Sequence, residues 1–193
     1  MIYTIGIDTL LSQTEFAQCD IHDVVNYCKD KKVLGVDTET EGFDFTCKKM
    51  IMFQIGDANN QYIIDTRFIS IEQLRNILEN KNIIKIFHNA KFDYKFIKKW
   101  SDITCERVYD TFLVELVISC GKGLGYALKD LCKRYLNVDL NKNVRNQFIG
   151  LDGQPYKDDQ IVYGAKDVEY LCKIKELQQP MIERYKLENV VEL

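Results

Sequence analysis

Two prolines and ten glycines in 193 residues are too few for a linker-rich, collagen-like or disordered chain. No apolar run approaches the roughly eighteen residues that a membrane-spanning helix requires. Histidine occurs only at positions 22 and 88, and none of the seven cysteines (19, 28, 47, 105, 120, 132, 172) forms a CxxC pair, which leaves little for a zinc site. The first sixteen residues lack the basic start and long apolar stretch of a secretory leader. With an odd number of cysteines, this predicts reduced thiols in a cytoplasmic protein that meets no membrane. A single-sign charge excess is also missing: 26 basic residues against 29 acidic ones leave a net charge of −3. That excludes a polycation binding by bulk charge but not a nucleic-acid partner held by local patches and bound metal.

The remaining composition, 46% hydrophobic and 28% charged, is that of an ordinary globular protein. With no repeat and no shift in composition, residues 1–193 read as one domain. A short strand is expected at Ile2–Ile5 and an amphipathic helix near Ile21–Cys28. Val33–Val36 is continuously apolar, as a strand buried on both faces would be. Strands at Met50–Ile55 and Gln61–Ile64 flank the turn Asp57–Asn60, which predicts a hairpin. Ser70 caps a helix over Ile71–Leu78, with Gln73 in the capping-box position. A strand at Ile83–Phe87 and a helix at Ala90–Lys99, capped by Asn89, come next. A strand near Arg107–Tyr109 precedes helices at Thr111–Ser119 and Tyr126–Leu136. A polar loop over Asn141–Pro155 leads to a long helix from about Asp158, broken before Pro180. The order β-β-β-α-β-α-β-α-α-α predicts a mixed sheet, an antiparallel hairpin followed by parallel strands, with helices on both faces.

Three acidic motifs fall near the carboxyl ends of predicted strands, where open α/β sheets bind ligands. In Asp37-Thr-Glu39-Thr40, residues two apart on a strand share a face, so two carboxylates stand side by side. Such a pair repels itself, and a divalent cation is the cheapest way to keep both ionised. In His88-Asn89-Ala-Lys-Phe-Asp93, the second acid lies in the first turn of a helix. In Tyr163-Gly164-Ala165-Lys-Asp167, the tyrosine and the acid are i and i+4 and share a helical face, while Gly164 and Ala165 allow a close approach to another backbone. Each motif alone also reads as a solvated strand end, a well-capped helix start or an ordinary helical pair. A haloacid-dehalogenase-type phosphatase also places paired acids after its first strand, but its DxDx[TV] pattern does not fit Glu39. A binding module that has lost catalysis would be expected to lack one of the four acids.

In this order, and separated by 56 and 74 residues, the motifs resemble the tyrosine branch of the DEDD (DnaQ-like) 3′–5′ exonucleases. That branch has DxE on the first strand, a second Asp after an Asn-containing turn, and YxxxD on a late helix. Val108-Tyr-Asp110-Thr111 and Leu124–Leu131 are similar to further family segments, so the resemblance spans roughly residues 20–178. It is strongest to the proofreading domain of bacterial DNA polymerase I and then to the catalytic domain of ribonuclease D.

The resemblance implies an RNase H-like α/β fold with a mixed five-stranded sheet. It also implies removal of nucleoside 5′-monophosphates from single-stranded 3′ ends, with DNA favoured over RNA and a polymerase or other replication protein as a partner in trans. RNA 3′-end trimming is the alternative. Two divalent cations, Mg²⁺ or Mn²⁺, are implied, and ligation by carboxylates alone suits such hard ions. Asp37 would bridge them, Glu39 and Asp167 would complete one site, Asp93 would serve the other, and Tyr163 would orient water. Thr40, Phe43 and Asn89 are the expected substrate contacts. Phe43 would wedge against the terminal base, although a core position suits it equally. Lys91, Lys95, Lys98, Lys99, Lys129, Lys133, Arg134, Lys142 and Arg145 are candidates for phosphate contacts.

Overall fold

The structure, a computed structural model, describes residues 1–9, 12–140, 144–151 and 153–191. Seven strands form one mixed sheet: β1 (Ile2–Ile5), β2 (Ala17–Gln18), β3 (Val33–Thr40), β4 (Met50–Gly56), β5 (Gln61–Asp65), β6 (Ile84–Phe87) and β7 (Val108–Asp110). Their spatial order is β2-β1-β5-β4-β3-β6-β7. β3, β4 and β5 pair antiparallel, and every other pairing is parallel. The sheet thus has two strands more than the five expected. Both lie beyond β5, where β1 pairs with it across some sixty residues of chain and the two-residue β2 carries no periodic signal.

Alternation along β3 separates the two faces. Leu34 and Val36 are fully buried on one side, in a core with α1 (Ile21–Cys28), α2 (Arg75–Leu78) and α3 (Ala90–Ser101). Phe53, Ile55 and Ile64 of the neighbouring strands join the same core. Gly35, Asp37 and Glu39 point the other way, toward the 28-residue helix α6. The stretch after β7 folds as α4 (Thr111–Ile118) and α5 (Leu128–Leu131), which widens into a π-helical turn at Cys132–Leu136 and replaces the single helix expected over Tyr126–Leu136. Ile71–Leu74 is likewise a tighter 3₁₀ turn before α2, with Ser70 accepting from the Glu72 amide. No helix among the described residues is long and apolar enough to cross a membrane.

α6 (Asp158–Tyr185) does not break at Pro180. A proline in a helix interior costs about 3 kcal/mol, so both flanks must be held. They are. Gln178 is fully buried, donates to Thr111 O at 3.0 Å and Glu115 Oε2 at 2.9 Å, and accepts from the Tyr109 hydroxyl at 3.1 Å. Ile182 beyond the proline packs with Tyr109, Val114 and Leu171.

β6 is short, and this opens the molecule. It pairs with β3 only from Val33 to Gly35, so Asp37–Thr40 continue with β4 on one side and no strand on the other. The chain leaves β6 through Asn89, which adopts a left-handed conformation (φ 62°) and makes no side-chain cap. The expected cap is instead supplied by Asp110. Its carboxylate accepts from the amides of Asn89 and Ala90, both at 2.9 Å, and from Phe112 at 3.0 Å, so one buried acid closes the first turns of α3 and α4 together. Asp110→Ala should therefore lower the unfolding free energy by about 3 kcal/mol, because three backbone donors lose a charged acceptor. Asp110→Asn, keeping one acceptor oxygen, should cost less. Equilibrium denaturation measures both, and an alanine variant within about 0.5 kcal/mol of the parent would contradict this double cap.

Candidate active site

At the exposed end of β3 three carboxylates converge. Asp37 and Glu39 from β3 and Asp167 from α6 place ligand oxygens within 4.8 Å of one another, the one such group among the described residues. The depth at which α6 sits makes this possible. A Cβ on Gly35 would lie 2.8 Å from the Val168 carbonyl oxygen, and one on Gly164 would lie 2.8 Å from Gln54 Nε2. These two contacts bracket Asp167, and the backbone contact at Gly35 leaves no room for a side chain there. Gln54, paired in register with Asp37 on β4, is fully buried with neither end of its amide hydrogen-bonded.

Asp93 comes from the opposite layer and stands outside the trio. Thr38, whose side chain alternates to the α3 face, donates to Asp93 Oδ1 at 2.6 Å. The site thus straddles the end of β3, with three acids on one side and the fourth beside them.

The electrostatics are those of a cluster out of balance. Burial, reinforced by Asp167, holds the Asp37 carboxyl well above the ordinary carboxylate range. Burial and the charges of Asp37 and Asp167 do the same to Glu39, and burial with Asp37 does so to Asp93. Asp167 is raised to about 7, mainly by burial, while the Tyr163 hydroxyl and the Arg145 charge pull it back. Tyr163 is pushed upward by burial and by the neighbouring acids, so its phenol stays protonated. Asp167 Oδ1 is buried without any hydrogen-bond partner. An orphaned oxygen among mutually repelling carboxylates is what a site for a hard divalent cation presents.

Around the acids lies a cleft of about 360 Å³, lined also by His88, Asn89, Phe92, Lys129, Arg145 and Tyr163. It meets a second cavity of about 250 Å³ at Thr38, Glu39, Phe92 and Arg145, and Phe43 and Ile149 lie on the far wall. Phe43 is 68% exposed and sits edge-on to Phe92, so it is not a core residue. Thr40 faces this second cavity, but its hydroxyl already donates to Gly42 O at 2.7 Å and shapes the loop carrying Phe43.

Of the expected phosphate contacts, Lys98, Lys133 and Arg134 are paired with Asp102, Asp139 and Glu115. Lys95 lies over the Phe45 ring. Lys129 and Arg145 line the cleft, whereas Lys142 lies outside the described residues. Sequence reasoning did not assign Arg145 its place against three carboxylates, because a loop cation carries no periodic signal. The capping role of Asp110 was missed, although an acid between a strand and a helix is the signal that marks one.

The pH dependence of stability follows in sign. Between about pH 4, where the unfolded chain's acids ionise, and pH 7, where Asp167 does so in the fold, the folded state holds more protons than the unfolded state. Stability of the metal-free protein should therefore fall as pH rises through this window, by roughly 5 °C or more in Tm. Mg²⁺ or Mn²⁺ should raise Tm more at pH 8 than at pH 5. Thermal unfolding in EDTA and in excess metal checks both, and a Tm that climbs from pH 5 to 8 in EDTA would contradict the clustering.

Known proteins share this architecture. Brucella melitensis NrnC, solved with bound Mg²⁺, superposes with a TM-score of 0.74 at 20% identity, over 96% of this chain and 83% of that one. In sequence, ribonuclease D of Haemophilus influenzae is 25% identical over 171 residues, 88% of this chain and 42% of the relative. DNA polymerase I of Aquifex aeolicus is 27% identical over 161 residues, 83% of this chain and 26% of the relative. The chain thus spans between about a quarter and two-fifths of these curated relatives. Residues 14–183 match the model of a 3′–5′ exonuclease family. With that match running from before α1 nearly to the end of α6, and with the RNase H-like sheet beneath it, the chain belongs to the 3′–5′ exonuclease family shared by ribonuclease D and DNA polymerase I.

Proposed function

We propose that the protein removes nucleoside 5′-monophosphates one at a time from single-stranded 3′ ends, with RNA as its substrate. The carrying observation is the Asp37–Glu39–Asp167 cluster, set in a cleft with Tyr163 and Arg145. Asp37, Glu39 and Asp167 would hold one divalent ion, and Asp37 with Asp93 a second. Mg²⁺ or Mn²⁺ held there supplies Lewis-acid activation of water and neutralises charge at the leaving oxygen. Four carboxylates and two such ions sum to zero charge, so a phosphodiester meets no net repulsion.

The chain's own side chains do the positioning. Tyr163, kept protonated and braced against Phe148, can orient a water through Oη but is a poor base. Arg145 offers a charged fork to the scissile phosphate. Asn89, whose side chain makes no cap, faces the cleft, and exposed Phe43 offers a ring for base stacking. Thr40 acts on substrate only through the loop it shapes. The preference for RNA over DNA is supported by relatives named ribonuclease D, and a nucleic-acid substrate by the solved complex of NrnC with pGG. A DNA substrate and a polymerase partner have the match to DNA polymerase I behind them.

One gel tests the reading. With Mg²⁺ or Mn²⁺, a 5′-labelled linear oligoribonucleotide should give a descending ladder, faster than its DNA counterpart, and a circular strand should give none. EDTA or Asp37→Ala should abolish the ladder. Tyr163→Phe should keep binding and lose ten- to a hundredfold in rate, about 1.4–3 kcal/mol of transition-state stabilisation. Nicking of the circle, or full activity in EDTA, would overturn the proposal.

A further inference from the structure

A third cavity, of about 540 Å³, lies on the other side of the loop formed by residues 41–49. Gly42 and Phe43 of this loop face the cavity beside the active-site cleft, whereas Glu41 and Lys49 face this one. Its other walls include Phe68 and Trp100, which are 72% and 42% exposed. Trp100 is the chain's one tryptophan.

The Trp100 ring and the Phe68 backbone are both anchored. The Trp100 indole donates to Lys48 O at 3.0 Å, fixing its edge against the loop and leaving a face open. Phe68 follows Arg67, whose guanidinium is clamped by Asp65 at 2.8 and 2.6 Å and by Gln154 O at 2.7 Å, and lies over the Tyr156 ring. Phe68 and Ile69 amides both bond back to Asp65 O. Lys48 and Lys49 are exposed along the same loop. The loop's acids bond within the loop: Glu41 Oε2 accepts from the Lys49 amide, and Asp44 Oδ1 accepts from the amide and hydroxyl of Thr46. The loop and the cavity wall thus present two aromatic rings and two exposed lysines beside acids already engaged in loop hydrogen bonds. Exposed rings beside lysines match single-stranded nucleic acid, whose bases stack on any π-face and whose phosphates seek positive charge.

We infer that this cavity is an upstream station on the substrate path. Bases several nucleotides back from the 3′ end stack on Trp100 and Phe68, and Lys48 and Lys49 meet the intervening phosphates. The inference rests on the exonuclease reading and adds to it a grip that depends on strand length. Short products lose that grip and leave, while long strands are retained between cuts.

Trp100 provides the signal. The full chain in EDTA is titrated with single-stranded RNA of two and of about ten nucleotides, and with an abasic strand of the longer length. The ten-mer should quench tryptophan fluorescence, whereas the dinucleotide and the abasic strand should not. Phe68→Ala and Lys49→Glu should each weaken the ten-mer's half-saturation about tenfold. In Mg²⁺, Phe68→Ala should raise KM for the ten-mer about tenfold with kcat unchanged, and cleave the dinucleotide as the parent does. An unchanged fluorescence with the ten-mer, or equal quenching by the dinucleotide, would overturn the inference. Quenching without any hydrolysis in Mg²⁺ would keep the cavity as a single-strand site and overturn the exonuclease reading instead.

Discussion

The structure turns on the repulsion among Asp37, Glu39 and Asp167, packed within 4.8 Å and largely shielded from water. Carboxylates at such spacing resist ionising together, and burial pushes each upward. Close packing elsewhere holds them in place. α6 lies so near β3 that no side chain fits at Gly35 without moving the Val168 backbone, and at Gly164 it lies against the Gln54 side chain of β4. Interiors packed to this density transmit a shift of a few tenths of an ångström. Gly35 therefore sets the separation of Asp167 from the strand.

Access comes from the sheet's own unevenness. Because β6 stops at Phe87, the outer half of β3 has a partner on one side only, and the cleft occupies the gap. This is where parallel sheets leave room for ligands, outside the carboxyl end of a strand whose neighbour diverges. Asp110 then stitches the far rim by capping α3 and α4 at once, and Phe112 stands edge-on to His88 there. One strand thus offers acids to α6 on one face and, through Thr38, steadies a fourth acid on the other.

Much of this was legible in the sequence, for a definite reason. The DxE pair, the acid in a helix's first turn and the YxxxD helix each follow from local periodicity, and the hairpin and α1 fell where the turn residues and the amphipathic pattern put them. What was not legible depends on contacts distant in the chain. β1 and β2 acquire meaning only by pairing beyond β5. Pro180 stays helical because Gln178 reaches Tyr109, Thr111 and Glu115, a network no local rule anticipates. Asn89 looked like a cap and is instead a left-handed hinge, its capping role taken by an aspartate twenty-one residues away. Phe43, balanced in sequence between core and surface, is on the surface.

The central claim is that this fold holds strained carboxylates in place to receive divalent metal. Crystals soaked in Mn²⁺ and measured at the manganese absorption edge address it most directly. An anomalous peak bonded to oxygens of Asp37, Glu39 and Asp167, lost in Asp167→Asn crystals, is the predicted result. Manganese absent from this cluster at millimolar concentration, with the three side chains ordered as they are here, would contradict it.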